Sequence, residues 1–169
     1  LQAGQTVLIH AAAGGVGSLA VQLAKARGAR VIATASALNS GIVTELGADQ
    51  FIDYTKTHFE DVATDVDVVF DTIGGDTQKR SWQVLKPGGI LVSVVSPPPE
   101  AVAATHGVRG AFVFIRPSGE QLTQIADLID GGRMRPVIHT VLPLAEVRQA
   151  HVISQTGHAR GKIVLQVAE

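Results

Sequence analysis

Residues 7–25, VLIHAAAGGVGSLAVQLAK, constrain the fold of this chain more than any other stretch. The apolar run Val7-Leu8-Ile9 leads into small residues, Ala11-Ala12-Ala13-Gly14-Gly15-Val16-Gly17. A segment with apolar residues at Leu19, Val21, Leu23 and Ala24 follows. That succession reads as a buried strand, a tight turn and a helix. Glycines let the turn backbone approach a ligand closely, because no Cβ intervenes. Free N–H groups at the helix start, with the helix dipole behind them, suit a phosphate anion.

The same texture repeats along the chain. Strands are expected at residues 6–11, 30–35, 51–54, 66–72, 90–95 and 108–115. Helices are expected at 15–27, 42–46, 76–85 and 119–129, with a weak amphipathic stretch at 56–64. The run VDVVFDT is apolar on both sides, which suits a parallel strand covered on both faces. Pro97, Pro98 and Pro99 lack N–H donors and end the fifth strand. Strands alternating with helices predict an α/β fold: a doubly wound, six-stranded parallel sheet with right-handed crossovers. Such sheets bind ligands at the carboxyl ends of the strands, where strand order reverses. Residues 1–135 make up this unit. From Pro136 the alternation breaks, and residues 136–169 form a strand-helix-strand tail, with strands expected at 137–142 and 162–167 and a helix at 144–153.

Composition narrows the function. At 169 residues, 46% of them hydrophobic and 17% charged, the chain is long enough and apolar enough for one well-formed core. A net charge of −1 offers no attraction to nucleic acid or an anionic membrane. No apolar run reaches membrane-spanning length. The start, Leu1-Gln2-Ala3-Gly4, has no basic region of a secretory signal, so a cytoplasmic location is expected. It also lacks an initiator Met and runs straight into a strand, so the chain reads as a piece of a longer protein. There is no cysteine, and the six histidines are scattered without ligand spacing, so no metal is expected.

The turn matches the dinucleotide fingerprint G-x-G-x-x-G, read here as Ala12-Ala13-Gly14-Gly15-Val16-Gly17 with alanine at the first glycine position. Its setting, after a strand and opening a helix, is the confirming context. Sites selective for NAD carry an acid at the end of the second strand, where it holds the ribose 2′-hydroxyl. Here that strand ends Ala33-Thr34-Ala35-Ser36. Without the carboxylate, nothing repels a 2′-phosphate, and Ser36 leaves room and a donor for one. Asn39, Ser40 and Tyr54 are further candidate donors. The expected cofactor is therefore NADPH rather than NADH. No Arg or Lys lies between Ser36 and Gly41, although a basic partner is the strongest feature of a 2′-phosphate site.

Five segments in order, VLIHAAAGGVGSLAVQLAK, ELGADQFIDYT, VVFDTIGG, LKPGGILVSV and HARGKIVL, resemble the medium-chain dehydrogenase/reductase superfamily. Within it the chain looks like the quinone oxidoreductase branch related to zeta-crystallin, and the likeness covers nearly the whole chain. The resemblance implies a Rossmann domain with Gly14, Gly15, Val16 and Gly17 at the pyrophosphate. It places Ser36 at the position of the replaced acid, Tyr54 near the adenosine phosphate and Ile73 beside the adenosine. Val95, Phe112 and Phe114 fall at the nicotinamide end, and Lys162 near the cofactor. It implies hydride transfer to a quinone, an enone or a related carbonyl, without naming a catalytic acid. Family members are about twice as long and begin with a catalytic domain, to which the tail would return.

Two other function classes share this texture. A methyl donor-dependent transferase would also carry LKPGGILV, but it keeps an acid after the second strand and an acidic glycine-rich loop, and this chain has neither. A non-enzymatic dinucleotide-binding module is the remaining alternative. The expected partner besides a small-molecule substrate is a second copy of the chain, joined through the apolar sixth strand at the sheet edge. The tail strands have two pairings open to them, with each other or with a neighbouring chain.

Overall fold

The computed structural model describes residues 1–168. Six parallel strands form one sheet: β1 (Thr6–Ile9), β2 (Arg30–Ala35), β3 (Gln50–Asp53), β4 (Val66–Asp71), β5 (Leu85–Ser93) and β6 (Arg109–Phe112). Their order is β3-β2-β1-β4-β5-β6. From β1 the chain winds outward to β2 and β3, then returns to place β4 on the other side of β1. Strand order therefore reverses between β1 and β4, where a crevice opens at the carboxyl ends.

Both faces of the sheet are buried, and the pleat decides which residue goes where. Val7 and Ile9 of β1 pack with Val21, Ala24, Val31, Ala33 and Val43. Leu8, between them, points the other way and packs with Ile32, Ile52, Phe59, Val69, Trp82 and Leu91. Helices α1 (Gly17–Ala26) and α2 (Ser40–Glu45) cover the first face. Helices α3 (Gly75–Ser81) and α4 (Glu100–Thr105) cover the second, through the Trp82 that follows α3 and Ala103 of α4. Helix α5 (Gly119–Asp130) has no buried residue.

The tail forms its own two-stranded parallel sheet, β7 (Ile138–Pro143) with β8 (Lys162–Gln166), spanned by α6 (Val147–Gln155). Of the two pairings open to these strands, they adopt the one with each other. A bridge between Gly14 and Gly161 joins this sheet to the glycine turn.

Several elements differ from expectation. β1 stops at Ile9 because Ala11 turns with φ of 48°, and α1 begins at Gly17 rather than residue 15. The helix expected over 76–85 ends at Ser81 and passes through a single 3-10 turn, Trp82–Val84, into β5. β5 starts at Leu85, five residues early, because Leu85 pairs with Val66; the register then shifts across Lys86-Pro87-Gly88-Gly89 before Ile90 meets Val68. α4 has no counterpart in the sequence reading: its six residues are too few to show a period, and the prolines before it suggested only a break. β6 is half the expected length. The stretch 56–64 holds only a 3-10 turn, Phe59–Asp61.

Candidate functional site

The glycine turn lies where β1 meets the reversal point. Ala12 is fully buried and donates its N–H to Thr34 O at 2.9 Å, so the first position of the fingerprint is a packed one. Gly14 closes the turn by donating to Ala11 O at 2.9 Å. A Cβ on Gly17 would collide with Ala11 O and lie 2.8 Å from Ala12 Cα, so the third position admits only glycine. Among the described residues, the N–H groups of Val16 and Gly17 donate to no protein acceptor. Two free donors at the start of a ten-residue helix make a cradle that fits a dinucleotide's pyrophosphate.

The ends of β1 and β4 are locked together around the crevice. Thr72 Oγ1 donates to His10 O at 2.9 Å. Asp71 is buried, and its carboxylate accepts from Ile73 N–H at 3.0 Å, Gly74 N–H at 2.8 Å and Gln78 Nε2 at 2.9 Å. Burial opposes the charge, yet the Gly74 and Ile73 N–H groups, Gln78 and Ser93 outweigh it and hold the carboxyl below its ordinary range. Asp71 thus shapes the turn that presents Ile73. His10 is also buried, its ring nitrogens 3.1 Å from Thr34 Oγ1 and 3.0 Å from Ser81 Oγ. Burial pushes its pKa down to about 4, so the ring is neutral and joins β2 to α3.

A cleft of about 480 Å³ opens beside the turn, lined on one side by Gly14, Ser36, Asn39 and Tyr54 and on the other by His158 and Arg160. A neighbouring cavity of about 540 Å³ runs between His10, Phe59, Ile73 and Arg80, and Tyr54 stands between the two. Asn39 Nδ2 donates to Ser36 Oγ at 3.1 Å, and Arg160 Nε donates to Asn39 Oδ1 at 2.9 Å. The cation missing from residues 36–41 therefore stands beside them, brought by the tail.

The other expected residues scatter. Val95 is half-exposed and lies against Gly74, so the β4 and β5 ends do meet. Phe112 ends β6 and Phe114 lies beyond it, 81% exposed; neither lines the two clefts. Lys162 stands behind the turn, its Nζ 3.0 Å from where a Gly15 Cβ would be, in a separate groove with His151 and Leu165. The sequence reading missed Arg160 and His158. The only available signal was their place in HARGKIVL, since no spacing rule links them to Ser36. Among the described residues no group of three His, Asp or Glu could hold a metal ion.

Comparison with known proteins agrees with the fold. Residues 46–165 match the family model for zinc-binding dehydrogenases. The chain is 34% identical to a mitochondrial NAD(P)H oxidoreductase of Danio rerio, over 96% of this chain and 49% of the relative. It is 38% identical to an NADPH-dependent alkenal/one oxidoreductase of Arabidopsis thaliana chloroplasts, over 96% of this chain and 41% of the relative. The solved quinone oxidoreductase of Coxiella burnetii superposes with a TM-score of 0.93 at 38% identity, covering 99% of this chain and 54% of that one. The chain thus spans about half the length of these relatives.

Proposed function

Since this chain belongs to the zinc-binding dehydrogenase family, among the quinone oxidoreductases of the medium-chain dehydrogenase/reductase superfamily, we propose that it binds NADPH for hydride transfer to a quinone, an enone or a related carbonyl. The observation that carries the reading is the cleft lined by Gly14 of the glycine turn and by a β2 end without an acid at Ala35-Ser36, next to a turn whose Val16 and Gly17 N–H groups have no protein acceptor among the described residues. Val16 and Gly17 would hold the pyrophosphate through those N–H groups, Tyr54 and Ile73 would flank the adenosine, and Ser36 and Asn39 would take the 2′-phosphate. Val95, where the β4 and β5 ends meet, would stand on the nicotinamide side.

The bound dinucleotide supplies the hydride. The chain's residues orient it: the turn fixes the pyrophosphate, Asp71 holds the Ile73-Gly74 turn, and neutral His10 braces the floor without moving a proton. The cytoplasmic location belongs to this proposal too; among the described residues no helix is long and apolar enough to cross a membrane. Fluorescence titration with both reduced dinucleotides tests the reading. NADPH is expected to bind more tightly, and equal or reversed affinities would overturn the preference.

A further inference from the structure

We propose that Gln22, which does not line the cleft, is a positioning residue for the cofactor. It holds the tail wall of the cleft at a fixed distance from the glycine turn, so that dinucleotide binding at the turn is coupled to the order of β7 and β8. The inference rests on the dinucleotide reading above and adds the contact that sets the width of the cleft.

Gln22 lies inside α1 and is buried, and its amide is engaged wholly with backbone. Nε2 donates to Ser18 O at 2.9 Å and to Arg135 O at 2.9 Å. Oε1 accepts from Arg135 N–H at 2.8 Å. One side-chain amide thus pairs with both the N–H and the C=O of a residue 113 positions away, as a neighbouring strand would. Among the described residues, the N–H and C=O of Arg135 have no other partner. An apolar side chain at position 22 would leave both unpaired.

Two residues beyond Arg135 the chain is fixed again. Val137 is buried in one cluster with Val21 and Ala24 of α1. Its carbonyl accepts Lys162 N–H at 2.8 Å, and Gly161 N–H donates to Ala13 O at 2.8 Å. Gly161 has φ of +69°, and a Cβ there would collide with Val137 O, so this crossing admits only glycine. Gln22, Arg135, Val137, Gly161 and Ala13 therefore close a ring. The ring touches both walls of the cleft: Ala13 lines one wall, while on the other Ile138 directly follows Val137 and Arg160 directly precedes Gly161. Gln22 closes the ring from α1, the helix whose first N–H groups form the cradle. A ligand that bridges the two walls gains from a closed ring, and by reciprocity its binding holds the ring closed.

Titrations with NADPH and NADH, and hydrogen exchange with and without NADPH, test this in the purified protein, in Gln22→Met, in Gly161→Ala and in the double variant. Gln22→Met is expected to weaken both dinucleotides in equal proportion, by about threefold to tenfold, although residue 22 touches neither. In the wild type, NADPH is expected to slow exchange at Gly161, Lys162 and along β8. In Gln22→Met that protection is lost from β8 and kept in β1. The double variant is expected to bind within about twofold of the weaker single variant, because both substitutions open one ring; independent roles would multiply. Gln22→Asn stays polar but is one methylene shorter, and gives the same readouts if the Met variant melts too low. Val43→Ala, at a buried position of α2 outside the cleft, is expected to lower the melting temperature and leave both affinities unchanged. Wild-type affinity in Gln22→Met, surviving NADPH protection of β8, multiplying losses in the double variant, or equal weakening by Val43→Ala would each overturn the role of Gln22. Equal wild-type affinities for the two dinucleotides would remove the NADPH preference and leave that role standing. A wild-type protein that binds neither would sink the cofactor reading and this inference together.

Discussion

Gly17 shows how little latitude the turn leaves at the scale of one residue. A methyl group there meets backbone, Ala11 O and Ala12 Cα, and neither can rotate away. Gly17→Ala is therefore expected to cost about 1–3 kcal/mol in a thermal melt and to abolish dinucleotide binding in the titration. Ser36→Asp restores the acid of an NAD site and is expected to lower the NADPH-to-NADH affinity ratio by about tenfold or more; an unchanged ratio would place the 2′-position elsewhere. His10 gives a pH dependence. Its pKa is about 4 when folded against 6.5 for the free side chain, so between those values the unfolded chain binds the extra proton. Stability is complete above that window and falls as pH drops through it, by about 3 kcal/mol in all. The contribution of Asp71, whose pKa is lowered by its hydrogen bonds, is lost only at lower pH, as the carboxylate protonates. Denaturant melts across the window should show the slope in the wild type and lose it in His10→Asn.

At the scale of elements, legibility followed the range of the forces involved. β2 was legible to the residue, because Ala33 and Val31 are buried on one face and Ile32 and Thr34 on the other, so the strand is a continuous small and apolar run. β5 was misjudged because its first half is held by a pairing, Leu85 with Val66, that Pro87 and Gly88 disguise. The tail sheet depends on one crossing at Gly161. Gly161→Ala is expected to unpin β8 from the turn, so that hydrogen exchange speeds up first at Lys162 and along β8 while β1 and β4 keep their protection. Uniformly faster exchange in all strands would instead show that the tail and the main sheet open together.

At the scale of the whole molecule, strand order puts β6 at an open edge. Beyond it Val113 is half-exposed, while Phe114 and Ile115 are more than 80% exposed. We propose that this edge pairs with its two-fold mate, extending the sheet across a homodimer. Sedimentation should give a dimer at micromolar concentration, and Ile115→Lys should shift it toward monomer; a wild-type monomer would count against the edge as an interface.

The strand, the glycine turn, the acid-free end of β2 and the α/β alternation were all readable before any coordinates, because each depends on residues close together in the chain. Periodicity, the missing Cβ of glycine and the missing N–H of proline act over a few residues. The cation of the cleft is different. Arg160 and Asn39 are 121 residues apart, and neither neighbourhood hints at the other. They meet only because Gly161 lets β8 cross the turn against Ala13 and Val137, a contact set by how two sheets pack rather than by any local preference. Burial likewise decided His10: the sequence offered a histidine at a strand end, and only the packing of β2 and α3 around it made the ring neutral and structural.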